Sequence, residues 1–326
     1  MINPFIGLPA LPERLVIVNQ ISERVGERLR QHPLGPIVID ELNPSRPWEF
    51  SREATLLVTR AFEGWSRAPS HPDKPIDTLR WVQTMSAGID FYPRWLLEDR
   101  LVTTGRGLTA KAIADYVMAA ILNIEKPIHR LGASSQKDWF QTTLGRLEGK
   151  RLGIFGYGAI GQEIARRACA FDMDIFICRR SAQGDQTSGL RFCTSIAELA
   201  EWSDHLVLAA PATAETSGIV SSEILARARP GLHLINISRG DLIDQDALVK
   251  ALKDGPVAFA TLDVTMPEPL PEGNALYGLA NVLLTPHIAW SGADAEGGVA
   301  ERICRSLDAI ARGETPEAQV DLTRGY

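Results

Sequence analysis

One stretch restricts the fold of this chain more than any other: "RLGIFGYGAIGQEIARRACAF", residues 151–171. A short apolar run leads into Gly156, Gly158 and Gly161, and a helical pattern follows. In a G-x-G-x-x-G loop between strand and helix, the first glycine permits a tight turn and the second lets backbone approach a pyrophosphate. The third lets the helix pack closely on the strand. Because the helix N-terminus offers free N–H groups to phosphates, this stretch predicts a dinucleotide-binding α/β domain.

The next strand, in "FICRRSAQ" (residues 176–183), determines which dinucleotide we expect. An acidic residue normally ends this strand and holds a ribose hydroxyl. Here Arg179 and Arg180 stand at that point, followed by Ser181. Because a guanidinium pairs with a phosphate, often through two hydrogen bonds, we predict NADP(H) as the preferred cofactor and NAD(H) as the alternative. The competing interpretation is that one or both arginines are solvated surface charges.

Composition narrows the class of protein. The 326 residues suffice for two domains, and the 45% of apolar residues suffices for their cores. A net charge of −6 argues against a general nucleic-acid or membrane-surface binder. The four cysteines and six histidines are scattered without metal-ligand spacing, so we predict reduced thiols, no metal site and a cytoplasmic location.

Short apolar runs alternate with helical patterns in two series. Their unbroken apolar character is typical of strands buried on both faces of a parallel sheet. The first series gives five strands, at residues 14–19, 36–42, 55–60, 79–86 and 101–105. The second gives seven, at residues 151–156, 174–179, 191–194, 205–211, 233–238, 258–264 and 281–287. The predicted fold class is therefore α/β, with two doubly wound parallel-sheet domains.

Three late strands end in polar residues that suit carbonyl chemistry. "HLINISRG" ends in Arg239, "AFATLDVTMPEPLPEG" contains Asp263 and Glu268, and "NVLLTPHIAWSG" contains His287. Ligands bind beyond the carboxyl ends of such strands, where an arginine pairs with a carboxylate and a histidine supported by a glutamate passes a proton. We expect a site for a 2-oxo or 2-hydroxy acid. Taken singly, Arg239 could be a surface arginine, Glu268 a solvated turn residue and His287 a core residue.

From about Trp81 to about Ile310 the chain resembles the D-isomer-specific 2-hydroxyacid dehydrogenases. The resemblance lies in "GIFGYGAIGQEIA", in "APATAETSGIVSSEILARARPGLHLINISRGDLIDQDALVKAL", in "LDVTMPEPLP" and in "LLTPHIAWSG". It implies that Arg239 binds the substrate, that Glu268 is the partner of the histidine, and that His287 is the acid/base.

The resemblance also implies binding roles for other residues. "SAGID" (residues 86–90) resembles the loop whose N–H groups bind the substrate carboxylate, which indicates Ala87 and Gly88. Trp290, after "HIA", is expected to line the substrate pocket. The cofactor-binding residues implied are Gly156, Tyr157, Gly158, Ala159, Ile160, Gly161, Arg179, Arg180, Ser181, Ala210, Pro211 and Asp263, with Asp263 on the nicotinamide amide and Ala210–Pro211 in a turn under the cofactor.

The family layout implies a flavodoxin-like substrate domain (residues 1–107 plus 291–326) and a Rossmann cofactor domain (residues 108–290). It further implies a homodimer joined through the cofactor domain, with residues 113–147, including Trp139 and Phe140, supplying much of the contact. Departures from the usual pattern are Thr265 and Met266, where many members have Phe and an acidic residue.

The expected function is reduction of a small 2-oxo acid by NADPH, giving the D-2-hydroxy acid. Arg179 and Trp290 resemble the NADPH-using glyoxylate and hydroxypyruvate reductases of the family, so glyoxylate and hydroxypyruvate are the first candidates. No nucleic-acid or membrane partner is expected. Two alternatives stay open: an NAD(P)-sensing binding protein of corepressor type, and a phosphoglycerate-like dehydrogenase that works oxidatively.

Overall fold

The computed structural model describes residues 12–61, 63–72, 76–180, 190–292 and 294–323. The chain forms two compact units, Met1–Thr109 with Ala293–Tyr326, and Ala110–Gly292. All twelve predicted strands are present. They are β1 (Val16–Asn19), β2 (Ile37–Asp40), β3 (Leu56–Thr59), β4 (Trp81–Thr84), β5 (Leu101–Thr103), β6 (Arg151–Phe155), β7 (Asp174–Cys178), β8 (Leu190–Cys193), β9 (His205–Leu208), β10 (Leu232–Asn236), β11 (Val257–Leu262) and β12 (Val282–Leu284).

The α-helices cover the faces of the two sheets. In chain order they are α1 (Glu23–Arg30), α2 (Arg94–Leu97), α3 (Ala110–Glu125), α4 (Ala159–Cys169), α5 (Ile196–Trp202), α6 (Ser222–Ala226), α7 (Gln245–Asp254) and α8 (Ala295–Ala311). Among the described residues, none of the helices is both long and apolar enough to cross a membrane.

The first unit is built on a five-stranded parallel sheet with the order β2-β1-β3-β4-β5. Helices α1 and α8 pack on one face, where Val25, Leu29 and Ile303 are fully buried. Because helices and loops cover both faces, strands β1, β3 and β4 are buried along their whole length. The edge strand β2 is the exception, and Ile37 in it is exposed.

The second unit is built on a seven-stranded parallel sheet with the order β12-β11-β10-β9-β6-β7-β8. Helices α3 and α4 pack on one face, and α5, α6 and α7 on the other. The first strand of this unit, β6, lies in the interior of the sheet. Strands β7 and β8 follow on one side of β6, and β9 then pairs with β6 on its other side. This reversal between β6 and β9 is the position at which doubly wound sheets bind ligands. The predicted fold class is confirmed for both units.

Candidate active site

The glycine loop follows β6, at the reversal of strand order. Gly156 has φ +103°, and a Cβ there would lie 2.6 Å from the backbone nitrogen of Ala210, beyond the end of β9. No heavy atom of the described chain lies within 4 Å of where a Cβ would stand at Gly158, whereas a Cβ at Gly161 would overlap the carbonyl oxygen of Gly156. Gly156 therefore permits the tight turn, and Gly158 leaves space beside the backbone for a ligand. Gly161 allows helix α4 to pack closely on the loop. The loop thus fits a pyrophosphate at the N-terminus of α4.

Arg179 lies beside this loop, directly after β7. Its guanidinium carbon lies 4.4 Å from the ring centroid of Phe192 and 6.0 Å from that of Tyr157. The two rings meet edge to face, with centroids 5.9 Å apart. Such cation–π contacts hold a guanidinium in place without neutralising its charge. Arg180 is more exposed and forms an ion pair with Glu215, with nitrogen and oxygen 2.9 Å apart. Ser181 lies outside the described residues.

The turn after β10 carries Arg239 and is fixed by Asn236. The fully buried side chain of Asn236 donates a hydrogen bond to the Arg239 carbonyl oxygen at 2.7 Å, and its oxygen accepts one from the Ser238 N–H at 3.1 Å. A Cβ at Gly240 would overlap the backbone of Thr265, after β11. The absence of a side chain at Gly240 therefore lets the Arg239 turn pack directly on the segment that leads to Glu268.

Glu268 and His287 form a hydrogen-bonded pair. Glu268 Oε1 lies 2.6 Å from His287 Nδ1, and the side chains are 39% and 32% exposed, so both remain accessible to solvent. Because a carboxylate only accepts hydrogen bonds, the hydrogen of this bond belongs to His287 Nδ1. The second ring nitrogen, Nε2, is then the one that can exchange a proton with a ligand.

The backbone at His287 adopts a left-handed conformation, with φ +52°. Non-glycine residues rarely occupy this region, so the surrounding contacts must hold His287 there. Its N–H donates to the carbonyl oxygens of Asp263 and Thr285, each at 3.0 Å. The indole N–H of Trp290 donates to the carbonyl oxygen of His287 at 2.8 Å. These bonds fix the histidine from both sides of its backbone.

Asp263, immediately after β11, shapes the segment that carries His287. This carboxylate is 2% exposed. Its Oδ1 accepts hydrogen bonds from the Thr285 hydroxyl at 2.6 Å and the Ile288 N–H at 2.8 Å, and its Oδ2 accepts one from the Ala289 N–H at 2.8 Å. Oδ2 therefore keeps one acceptor position, which a nicotinamide amide could use. The contact of Asp263 with that amide stays a prediction.

Strand order brings the predicted residues of this unit to one edge of the sheet. Neighbouring strands β12, β11 and β10 are followed by His287, Glu268 and Arg239. The next strands, β9 and β6, are followed by Ala210–Pro211 and the glycine loop. Since all pairs are parallel, these segments lie side by side at the carboxyl edge. Doubly wound sheets bind their ligands at this edge.

Ala87 and Gly88 belong to the other unit, in the loop after β4. The Ser86 hydroxyl donates to the Gly88 carbonyl oxygen at 2.8 Å, and the Thr84 hydroxyl donates to the Ser86 carbonyl oxygen at 2.9 Å. Within the described part of the chain, the N–H groups of Ala87 and Gly88 form no hydrogen bond. Both remain available to an anionic ligand, as their predicted role requires.

A sequence profile described as "D-isomer specific 2-hydroxyacid dehydrogenase, NAD binding domain" matches residues 118–289. The chain is 34% identical to a glyoxylate reductase of Thermofilum pendens over 297 aligned residues. The alignment covers 86% of this chain and 87% of that protein. The chain belongs to the D-isomer-specific 2-hydroxyacid dehydrogenase family. The enzyme is therefore an oxidoreductase that uses a nicotinamide cofactor and acts on small 2-oxo or 2-hydroxy acids.

Two further comparisons agree. A glyoxylate reductase of Pyrococcus furiosus is 37% identical over 235 residues, 68% of each chain. The crystal structure of a D-isomer specific 2-hydroxyacid dehydrogenase from Xanthobacter autotrophicus Py2, in complex with NADPH and MES, superposes with a TM-score of 0.78 at 25% identity, covering 96% of this chain and all of that one.

Sequence reasoning missed two residues that shape the candidate site. It singled out neither Asn236, which fixes the Arg239 turn, nor Thr285, which binds Asp263. The available signal was a polar residue at the end of an otherwise apolar strand.

Among the described residues, no group of His, Cys, Asp and Glu is placed to hold a metal ion.

Proposed function

We propose that this enzyme is an NADPH-dependent reductase of a small 2-oxo acid, with glyoxylate and hydroxypyruvate as leading substrates. The observation that carries the proposal is the 2.6 Å Glu268–His287 pair at the sheet edge that also holds the glycine loop. The relatives named glyoxylate reductase support the substrate class. The product of such a reaction is the D-2-hydroxy acid.

Preference for NADPH is supported by the chemistry around Arg179. Its guanidinium stacks on Phe192 beside the glycine loop, at the point where a carboxylate would repel a 2′-phosphate. The relative from Xanthobacter autotrophicus was solved with NADPH. Arg180 would contribute less, because it is more exposed to solvent than Arg179.

The proposed mechanism assigns a role to each side chain of the candidate site. The glycine loop would hold the pyrophosphate of a reduced nicotinamide dinucleotide, which would supply a hydride to the carbonyl carbon. His287 protonates the carbonyl oxygen from Nε2, and the Glu268 carboxylate stabilises the protonated ring and fixes its orientation. Arg239 pairs with the substrate carboxylate and polarises the carbonyl. Ala87 and Gly88, in the other unit, keep their predicted role of binding a carboxylate through their N–H groups. Preorganised charge at the developing oxyanion and correct orientation provide most of the rate.

The test is a panel of 2-oxo acids assayed with NADPH and NADH, for the wild type and for Arg179→Ala. Loss of a charge-assisted phosphate contact should lower kcat/KM for NADPH about 10- to 100-fold and leave NADH nearly unaffected. Arg94→Ala, which removes an exposed arginine paired with Glu98, is the matched control. A wild-type preference for NADH would overturn the cofactor assignment, and inactivity towards every acid would overturn the reductase assignment.

The homodimer is proposed on the apolar surface after α3. Ile128, Trp139 and Phe140 are 72%, 81% and 67% exposed, whereas most apolar residues of α3 itself are buried within the unit. The proposed contact therefore concentrates in residues 128–144 rather than across the whole of residues 113–147. Light scattering should give a dimer for the wild type and a monomer for Trp139→Asp. A wild-type monomer would contradict the proposal.

A further inference from the structure

A chain of hydrogen bonds connects helix α3 with the segment that carries His287. The phenol oxygen of Tyr116 lies 2.7 Å from Thr285 Oγ1, which lies 2.6 Å from Asp263 Oδ1. The carboxylate only accepts, so the single hydroxyl hydrogen of Thr285 belongs to the bond with Asp263. Thr285 Oγ1 can then only accept from Tyr116. Every bond in the chain therefore has one direction, from Tyr116 to Asp263.

The phenol of Tyr116 remains a donor throughout the neutral pH range. Burial raises the pKa of Tyr116, and the nearby negative charge of Asp263 raises it further. Because the phenol keeps its proton, the direction of the chain does not reverse as the pH changes around neutrality. A fixed donor at one end and a carboxylate at the other favour a single arrangement.

Thr285 and Asp263, the last two members of this hydrogen-bond chain, constrain the backbone on both sides of His287. Before it, the Thr285 N–H donates to the Leu262 carbonyl oxygen at 3.0 Å. After it, the Ile288 and Ala289 N–H groups donate to Asp263. Since His287 lies between these anchors with a left-handed backbone, a shift of Asp263 would displace its ring.

The chain also joins distant parts of the sequence. Tyr116 and Thr285 are 169 residues apart. Helix α3 is the first element of the unit Ala110–Gly292, and the Thr285 segment is close to its end. The rigid helix α3, packed on the sheet through Ile113, Val117 and Ile121, therefore serves as the anchor for the His287 segment.

We propose that Tyr116 and Thr285 are positioning residues for proton transfer by His287. This inference rests on the proposed acid/base role of His287. The two hydroxyl groups act through Asp263 on the location of the imidazole. Their loss should slow the chemical step more than it weakens substrate binding, because misplacement of a reacting group lowers the rate directly.

The experiment compares Thr285→Val, Thr285→Ser, Tyr116→Phe and the double variant Tyr116→Phe/Thr285→Val. Thr285→Val should lower kcat about tenfold with KM within about threefold of wild type, and Thr285→Ser should restore kcat. Tyr116→Phe should lower kcat about threefold. The double variant should be no slower than Thr285→Val, because hydroxyl groups that act in series are not additive.

Thr78→Val is the matched control. The Thr78 hydroxyl donates to the carbonyl oxygens of Arg52 and Ala54 in the other unit, and its loss should leave kcat unchanged. A wild-type kcat in Thr285→Val would overturn the proposal. Additive effects of Tyr116→Phe and Thr285→Val would overturn it too, as would an equal loss of kcat in Thr78→Val.

An NMR comparison of the variants tests this proposal independently of the proposed function. The imidazole signals of His287, assigned with His287→Gln, should move in Thr285→Val and return in Thr285→Ser, whether or not any substrate is turned over. If the wild type reduces no 2-oxo acid, the proposed function fails while this measurement still tests the positioning. Unchanged His287 signals in Thr285→Val would overturn the positioning itself.

Discussion

Two histidine sites lie at opposite edges of the seven-stranded sheet. At the carboxyl edge, His287 pairs with Glu268 and about a third of its side chain is exposed. At the amino edge, His205 begins β9 and His233 lies next to it in β10, where they are 1% and 2% exposed. Both sites combine imidazole with carboxylate, so they differ in surroundings rather than in the groups present.

The buried site is a row of polar side chains in contact with one another. The Thr261 hydroxyl lies 2.9 Å from His233 Nε2, the Nδ1 atoms of His233 and His205 are 3.1 Å apart, and His205 Nε2 lies 3.3 Å from Glu125 Oε1. Lys150 Nζ lies 2.8 Å from the same carboxylate oxygen. With one hydrogen on the His233 ring, the Thr261 hydroxyl donates to His233 Nε2 and His233 Nδ1 donates to His205 Nδ1. His205 Nε2 lies near Glu125 without forming a hydrogen bond of good geometry.

Burial fixes the charge states of this second site. Burial, with a smaller contribution from His205, lowers the pKa of His233 to about 3. His205, followed by Lys150, lowers the pKa of Glu125 to about 2. At neutral pH, His233 is therefore uncharged and Glu125 is ionised. The comparison teaches that exposure, and position at the ligand-binding edge of the sheet, distinguish the proposed proton-transfer histidine His287 from the buried pair.

The largest expected difference between the two sites appears when each histidine is replaced by alanine. His287→Ala should lower kcat about 10²- to 10⁴-fold with NADPH binding retained. His233→Ala should leave kcat near wild type but lower the free energy of unfolding by about 1–3 kcal/mol, because buried partners lose their hydrogen bonds. Steady-state kinetics, NADPH fluorescence titration and urea unfolding measure these quantities. Near wild-type turnover in His287→Ala would end the catalytic assignment.

Replacing the carboxylate of the exposed pair should have a smaller effect. Glu268→Gln keeps a hydrogen-bond acceptor for His287 but removes the negative charge that favours the protonated ring. We expect kcat to fall about 10- to 100-fold, because a neutral amide does not stabilise the positive charge that the ring carries as a proton donor. Glu272→Gln, in the same segment and exposed, is the matched control. A wild-type kcat in Glu268→Gln would show that the Glu268 charge does not act on His287.

Sequence alone predicted the fold more completely than the site. All twelve strands were predictable because apolar runs mark strands covered on both faces. Their ends were placed too late where apolar residues continue past the sheet. Ile237, for example, is buried, yet β10 stops at Asn236, because the Asn236 side chain binds Arg239 and turns the chain.

The motifs led to the Glu268–His287 pair because both residues follow neighbouring strands. They could not lead to Tyr116 or Thr285. A hydroxyl on a helix and another 169 residues later become partners only through tertiary packing. The same holds for the contact of Arg179 with Phe192, which needs the pairing of β7 with β8.

The smallest expected effect concerns stability in mild acid. His233 titrates at about 3 in the folded protein, against an ordinary value of 6.5. Between these pH values the unfolded chain binds the extra proton, so stability is fully present above pH 6.5 and falls as the pH decreases. From pH 7 to pH 5 this group alone should cost about 2 kcal/mol. Glu125 adds a loss only below its ordinary value of 4.5.

Urea unfolding at pH 7 and pH 5 measures that loss. His233→Gln should abolish most of it, because the replacement side chain does not titrate, whereas His129→Ala, which removes an exposed histidine, should leave it unchanged. An equal loss of stability between pH 7 and pH 5 in His233→Gln and in the wild type would mean that the buried ring is not held neutral. The contrast between the two edges of the sheet would then have to rest on position alone, since burial would no longer distinguish the two histidines.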